Sequence, residues 1–446
     1  MMIIFTGKSA ATITMRRIVF WKFTLFTVFL LIPAILAIPE EAGAVHLSQE
    51  IQGPYSLVER SDWSRYDNGK YTGHVYREVR ASIIPQRLPY PAGSFANGAG
   101  NAPANGDRAG AVFQYRGNFF VMEETLRDMR QSARAVDMVI PASFRIDRDR
   151  GLLIENDRGF PAFRNFPVFP PDAIRPGSKW TARGHRAVDP LNEGKPVVIP
   201  LVAEYEYRGV EEYRNVPVHR IFAKYASRYE GQSSFNDIEE GQSLIQKSNF
   251  NVQGAHNVDI LLRVSDGVPL LIRDNLDETF SWPNGSTLRF RGFTLTFGDG
   301  LIPLDREAII IAANTVKQTL PPDTGIDMSS VPEGVKLTVK DIRFAPDSDE
   351  MLVSERPRLD IIARVLKETP DRTFLVEGHT AAVGRPAGEM ELSVQRAKRM
   401  VDELVSRGIP ADRFIYKGWG GTMPIGDNTN EEGRRLNRRV EITILE

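Results

Sequence analysis

Val258-Asp259-Ile260-Leu261-Leu262-Arg263-Val264-Ser265-Asp266-Gly267 sets the character of the first three quarters of the chain. Val258, Ile260, Leu262 and Val264 alternate with Asp259, Leu261 and Arg263, the period of a strand with one apolar face and one mixed face. Ser265-Asp266-Gly267 turns the chain. A second strand runs from about Val268 to Trp282 and ends at Pro283-Asn284-Gly285, where Asn-Gly supplies the positive φ angles of a tight hairpin. In the third strand the apolar phase moves from Leu288 and Phe290 to Phe293, Leu295 and Phe297, a slip across Gly292 that predicts a β-bulge. Leu201, Ala203, Tyr205 and Tyr207 alternate with Val202, Glu204 and Glu206 in the same way. These strands, separated by frequent turn residues, predict a β-rich, antiparallel, sandwich-like region over residues 45–320.

Working outward, Pro91-Ala92-Gly93 through Asn105-Gly106 is too poor in large apolar residues to pack and reads as a long loop or linker. A helix is expected over Met122 to Ala133. The proline-dense stretch Asn165 to Gly177 suggests a division near residue 160, into a 45–160 domain containing the Gly/Ala/Pro/Asn loop and a 161–320 antiparallel domain. Pro321-Pro322-Asp323-Thr324-Gly325 through Gly334 reads as a linker, 321–334. Upstream, Met15-Arg16-Arg17, the apolar run Phe23 to Ile38 and Ala42-Gly43-Ala44 follow in the order of a secretory signal peptide, residues 1–44. Export to the periplasm follows, with outer-membrane association as an option.

Beyond residue 334 the pattern changes. Leu337 to Phe344 reads as a strand. Leu359, Ile362 and Leu366 place an apolar stripe on a helix after Ser354, a candidate N-cap. Thr373 to Glu377 is a second strand. Val394, Ala397, Val401 and Leu404 mark a second helix, with Gly408 at its C-terminal end, and strands fit Arg413 to Lys417 and Val440 to Leu445. The sum is an α/β sandwich over 335–446, two helices on one sheet, in a multidomain chain.

Composition narrows the function. With 56 basic against 57 acidic residues and a net charge of −1, a chain-wide field for nucleic acid is excluded, and no nucleic-acid partner is expected. The absence of cysteine removes disulfides, thiolate metal sites, cysteine nucleophiles and lipid attachment at a mature N-terminal cysteine, so the protein is not expected to be a lipoprotein. The six histidines show no metal-ligand spacing. Pairs such as Asp347 with Asp349, or Glu239 with Glu240, read as solvated loop charges. No catalytic residue, metal or cofactor is expected.

Gly378-His379-Thr380, Leu392-Ser393-Val394-Gln395-Arg396-Ala397 and Asn437-Arg438-Arg439-Val440-Glu441-Ile442 carry a resemblance to OmpA-like peptidoglycan-associating domains, spanning Val335 to Glu446. The resemblance implies a pocket for the diamino acid of a peptidoglycan stem peptide. There an aspartate directly after Gly-His-Thr meets the ammonium, and an arginine on the following helix meets the carboxylate. Arg396 holds the arginine position, Arg438 matches a further pocket arginine, and Asp347 falls in a loop that often adds a polar group. Ala381 stands where the aspartate belongs, and Glu389 stands where the family usually has asparagine. Losing one partner of a buried charge pair costs ~2–5 kcal/mol, so peptidoglycan binding is expected to be weak or lost, leaving other envelope proteins as partners. Alternatives are a functional anchor in which Glu389 substitutes for the aspartate, an outer-membrane β-barrel with this domain attached, and an enzyme in the β-rich region. Arg396 and Arg438 could equally tie the helix to the last strand through acids such as Glu377 or Glu441.

Overall fold

The computed structural model describes residues 43–48, 53–87, 113–124, 133–146, 152–155, 157–231, 249–300, 304–318, 325–345, 349–369 and 372–446. The expected signal segment up to residue 42, the Pro91 to Asn105 tract, Asp347, Glu239 and Glu240 lie outside these residues.

In chain order the first strands are β1 (Tyr55–Asp67), β2 (Lys70–Arg87), β3 (Phe113–Glu124), β4 (Arg134–Ala135), β5 (Met138–Ile146) and β6 (Leu152–Ile154). Then come β7 (Phe163–Arg164), β8 (Lys179–Val188), β9 (Val197–Tyr213), β10 (Val216–Tyr229), β11 (Asn251–Arg263), β12 (Pro269–Ser281) and β13 (Thr287–Gly300). All of these except β4 form a single antiparallel sheet in the order β6-β5-β3-β2-β1-β13-β12-β11-β10-β9-β8-β7. Edge strands β6 and β7 are joined only by Glu155 to Ala162, a segment that reaches roughly 30 Å fully extended. A flat sheet of this order would hold its edges roughly 50 Å apart. The sheet must therefore roll up until its edges meet. Leu152 N donates across the gap to Asn165 Oδ1 at 2.8 Å, and Phe119 of β3 stacks on Phe160 at 4.9 Å.

In place of the two packed sheets of a sandwich there is one rolled sheet, and residue 160, where a division was expected, lies in the short bridge between its two edges. Alternation reports which residues face inward but not whether the opposite wall is another sheet or the same one. Leu201, Ala203, Tyr205, Tyr207, Val258, Ile260 and Leu262 do line the interior, while Glu204, Lys224, Arg228 and Arg273 face out.

Three local expectations also change. β13 pairs with β1 and β12 without a register shift at Gly292. Leu288, Phe290 and Thr294 stay inward, and Phe293, Leu295 and Phe297 lie on the outer face, where Arg273 covers Phe293. Gly292 is required because a Cβ there would meet Asp62 O at 2.1 Å. At the β12–β13 turn only Gly285 has positive φ; Asn284 instead uses its side chain to accept from Ser286 N at 2.9 Å. Tight two-residue turns occur at Asn68-Gly69 and Arg214-Asn215, all four residues with positive φ. Third, the helix expected from Met122 begins as strand, because Met122 to Glu124 complete β3 opposite β2; residues 125–132 lie outside the described residues.

The C-terminal part contains α1 (Arg306–Gln318), β14 (Ile326–Val331), β15 (Gly334–Lys340), α2 (Arg356–Lys367), β16 (Phe374–His379), α3 (Pro386–Ser406), β17 (Phe414–Gly418), α4 (Glu431–Asn437) and β18 (Arg439–Leu445). Its sheet order is β14-β15-β18-β16-β17-β4. Residues Ile326 to Val331, expected within a linker, are thus a strand hydrogen-bonded to β15, with Ile326 buried against the helices. Polar Asp327 and Ser329 alternating with Ile326 and Met328 hid that signal. Helix α2 starts after Glu355 without a side-chain cap, so Ser354 does not cap it; Gly408, at φ +88°, does end α3.

Phe374, Val376, Ile442 and Ile444 pack under Leu359, Ile362, Val401 and Leu404 on the helical side. On the other side Leu375, Ile415 and Leu445 pack against Phe120, Met122 and Val136 of the β-rich region. The contact is reinforced by charge. Glu78 of β2, 1% exposed, accepts from Arg60 at 2.9 Å and Arg80 at 2.5 Å, and Arg80 also donates to Asp412 O.

Candidate functional site

The corner between β16 and α3 is fixed by two glycines. A Cβ on Gly378 would lie 2.1 Å from Ser393 O, so α3 rests directly on the end of β16. Ser393 Oγ accepts from Gly420 N at 2.9 Å, and Thr380 N donates to Gly420 O at 2.9 Å. This pins the segment that begins with Ala381, whose methyl is buried at 5% exposure.

Glu389 is 8% exposed. Its Oε1 accepts from Val383 N at 2.7 Å and from Arg385 N at 3.0 Å. It closes the loop ahead of α3 in the way that a carboxylate satisfies free N–H groups at a helix start. Arg396, two turns further along α3, lays its guanidinium over the Phe344 ring with the centroid at 4.7 Å. Arg438 Nη2 donates to Glu431 Oε1 at 2.6 Å in a half-exposed pair. Asp347 is not among the described residues.

The structure therefore brings Ala381 and Glu389 to one corner, and pairs Arg438 with neither Glu377 nor Glu441. Glu441 is bonded by Lys336 at 2.6 Å and Arg439 at 2.7 Å, and Glu377 accepts from Trp419 Nε1 at 2.6 Å. Burial pushes the Glu377 carboxyl up, against the lowering effect of that bond. His379 is buried, and neither ring nitrogen has a hydrogen-bond partner among the described residues. Desolvation, aided by the Arg439 charge, brings its pKa down to about 4, so it is neutral at pH 7.

Sequence reasoning gave no role to Asn437, which is fully buried. Its Oδ1 accepts from Ile425 N and Gly426 N, and its Nδ2 donates to Gly426 O and Asn428 Oδ1. Asn428 Oδ1 in turn accepts from Ala382 N at 3.1 Å. Asn437 thus holds the loop that touches the Ala381 segment. An asparagine at a helix end directly before two arginines was the available signal.

The layered αβ arrangement, with its loop, helix and asparagine-held rim, defines a small carboxy-terminal α/β domain. Residues 343–438 match the OmpA family, and the chain carries an OmpA family domain at this position. The peptidoglycan-binding protein ArfA of Mycobacterium tuberculosis is 37% identical over 103 residues, 23% of this chain and 32% of that protein. Outer membrane porin F of Pseudomonas aeruginosa is 38% identical over 107 residues, 23% of this chain and 30% of its own. The probable lipoprotein YiaD of Escherichia coli is 33% identical over 122 residues, 27% of this chain and 56% of its own. The chain spans about a third of the length of the first of these relatives.

Proposed function

We propose that this is a non-catalytic cell-envelope protein, exported to the periplasm, whose OmpA family domain has an altered diamino-acid site and holds peptidoglycan weakly or not at all. The carrying observation is at the corner of β16 and α3. The family's aspartate position is a buried methyl, Ala381, and the nearby acid, Glu389, is already committed to two backbone N–H groups. An ammonium entering there gives up water without gaining a carboxylate, and a desolvated charge without a partner is strongly disfavoured. Arg396 still presents a guanidinium, though one resting on Phe344.

The same geometry weighs against Glu389 as the substitute acid, because turning it toward a ligand would strip the two N–H groups. A lipid-facing barrel is disfavoured by Lys224, Arg228 and Arg273 on the outer face of the rolled sheet, since such positions carry an apolar band in transmembrane barrels. The named relatives supply the envelope setting: outer membrane porin F and a probable lipoprotein.

Co-sedimentation of the full chain with purified sacculi tests the reading. The unmodified protein is expected to stay in the supernatant, Ala381→Asp to move into the pellet, and Arg396→Ala in that background to return it. Tight binding by the unmodified protein that Glu389→Ala removes would overturn the proposal.

A further inference from the structure

The interior of the rolled sheet carries a band of polar and charged side chains across its apolar lining. Glu123 of β3, Arg77 of β2, Ser61 of β1, Thr294 of β13 and Asp274 of β12 stand opposite one another in register, with Ser61 Oγ 3.0 Å from Thr294 Oγ1. Four residues along β12 from Asp274, Glu278 is hydrogen-bonded by Arg186 of β8 and lies 3.3 Å from His256 Nε2. His256 Nδ1 is 2.9 Å from Asp274 Oδ2, and Tyr225 stacks on the imidazole at 4.2 Å. Four strands, β8, β10, β11 and β12, thus converge on one buried ionic cluster.

The cluster borders a cavity of about 130 Å³ whose lining combines the apolar Leu276, Phe280, Phe290 and Phe160 with charged side chains that include Glu59, Glu123 and Arg158. Three buried side-chain nitrogens in that lining have no hydrogen-bond partner among the described residues: Arg77 Nε, Arg186 Nε and Trp63 Nε1. Arg186 is 9% exposed. All three are donors. Leaving a buried donor unmet is disfavoured, the more so on a charged group, and orphans in native structures call for an explanation. Asp274 and Glu278 are already bonded by His256, Tyr225 and Arg186, and Glu59 and Glu123 in the same lining lie in the field of Arg77, so the three unmet donors are what call for an added acceptor. Trp63 stands one inward position along β1 from Ser61, the cross-strand neighbour of Arg77, so two of the free donors are diagonal neighbours. The apolar wall and a volume near that of a benzene-binding cavity set the size of the rest.

We infer that this cavity binds a small organic carboxylate with an apolar body about the size of an aromatic ring. The carboxylate accepts from Arg77 and Trp63 with Arg186 nearby, and the body packs on Phe280, Phe290 and Leu276. The site is separate from the OmpA family domain. Its entrance is the end of the sheet covered by the β8–β9 hairpin, Asp189 to Pro196, and by Arg158 to Phe163.

Titration calorimetry on the full chain with benzoate, phenylacetate, acetate and benzyl alcohol, followed in parallel by tryptophan fluorescence, decides it. Benzoate or phenylacetate is expected to bind saturably, with acetate and benzyl alcohol at least about tenfold weaker. Arg77→Lys keeps the charge but removes the Nε donor, and is expected to weaken binding about tenfold while the Tm holds. Trp63→Phe is expected to weaken binding and to abolish the fluorescence change, giving a second arm if Arg77→Lys lowers the Tm. Absence of saturable binding by either aromatic carboxylate, equal binding of benzyl alcohol, or unchanged affinity in both variants would overturn the inference.

Discussion

Arg134 stands opposite Ile415 in a parallel pairing, so a two-residue strand from the β-rich region forms the edge of the C-terminal sheet. The side chains repeat the message. Ile415, fully buried, packs with Leu375 and Leu445 against Phe120, Met122 and Val136, and Glu78 anchors Arg60 and Arg80 beside them.

A chain cut at an engineered protease site between Gln318 and Gly325 is therefore expected to elute from a sizing column as one particle. Met122→Asp, which places a charge in the apolar contact, is expected to release the pieces, and Ile415→Ala to destabilise the intact chain by about 2–5 kcal/mol. Pieces that part without any substitution would show that the pairing does not hold them.

Glycine substitutions on either side of the α3 corner are expected to act in opposite directions. At Gly378 a methyl meets the Ser393 carbonyl carbon at 3.0 Å and its oxygen at 2.1 Å, and backbone cannot step aside, so Gly378→Ala should cost about 1–3 kcal/mol. Gly388, in the first turn of α3, has open space around its missing Cβ. Gly388→Ala should stabilise by about 0.4–1 kcal/mol through the unfolded chain. Thermal unfolding of the two variants reads both signs.

Much of the C-terminal domain was legible because Val394, Ala397, Val401 and Leu404 repeat at helical spacing and Gly408 stops the helix where expected. The β-rich region was legible strand by strand and illegible as a whole. Inward positions such as Tyr205 and Ile260 look alike in a sandwich and in a rolled sheet, and only the short bridge from Ile154 to Phe163 distinguishes them. Strand β14 was missed because Asp327, Ser329 and Ser330 make an edge strand resemble a linker. At the site, Ala381 and Arg396 could be placed by spacing. The engagement of Glu389 with Val383 and Arg385, and of Arg396 with Phe344, depends on side-chain direction, which spacing does not encode.

Because Glu389 serves the loop, its removal is expected to register as stability. Glu389→Ala leaves two N–H groups unmet and should destabilise by about 1–3 kcal/mol. Sacculus co-sedimentation of the full chain should be unchanged by it. A loss of sacculus binding at constant Tm would instead mark Glu389 as a ligand group.

Stability against pH is expected to carry two opposing histidine signatures and one acid signature. Burial, with Arg439 adding to it, depresses His379 to about 4. The unfolded chain therefore binds the extra proton between about pH 6.5 and 4, and acidification through that window should remove up to about 3 kcal/mol. His256 behaves the other way. Burial and the Arg186 charge lower its pKa, but hydrogen bonds to Asp274 and Glu278 outweigh them and the pKa is raised. Its contribution is fully present below pH 6.5 and is lost as pH rises through the folded value. Burial raises Glu278, yet Arg186 and His256 overcome it and hold the carboxyl at about 2. That contribution is present above about pH 4.5 and is lost as pH falls toward 2. In Tm profiles against pH, His379→Gln should flatten the loss between pH 6.5 and 4. The deficit of His256→Gln relative to the unmodified protein should be larger at pH 6 than at pH 9, and Glu278→Gln should lose the drop below pH 4.5. If His379→Gln keeps the full acid-side loss, the unpartnered imidazole is not its source.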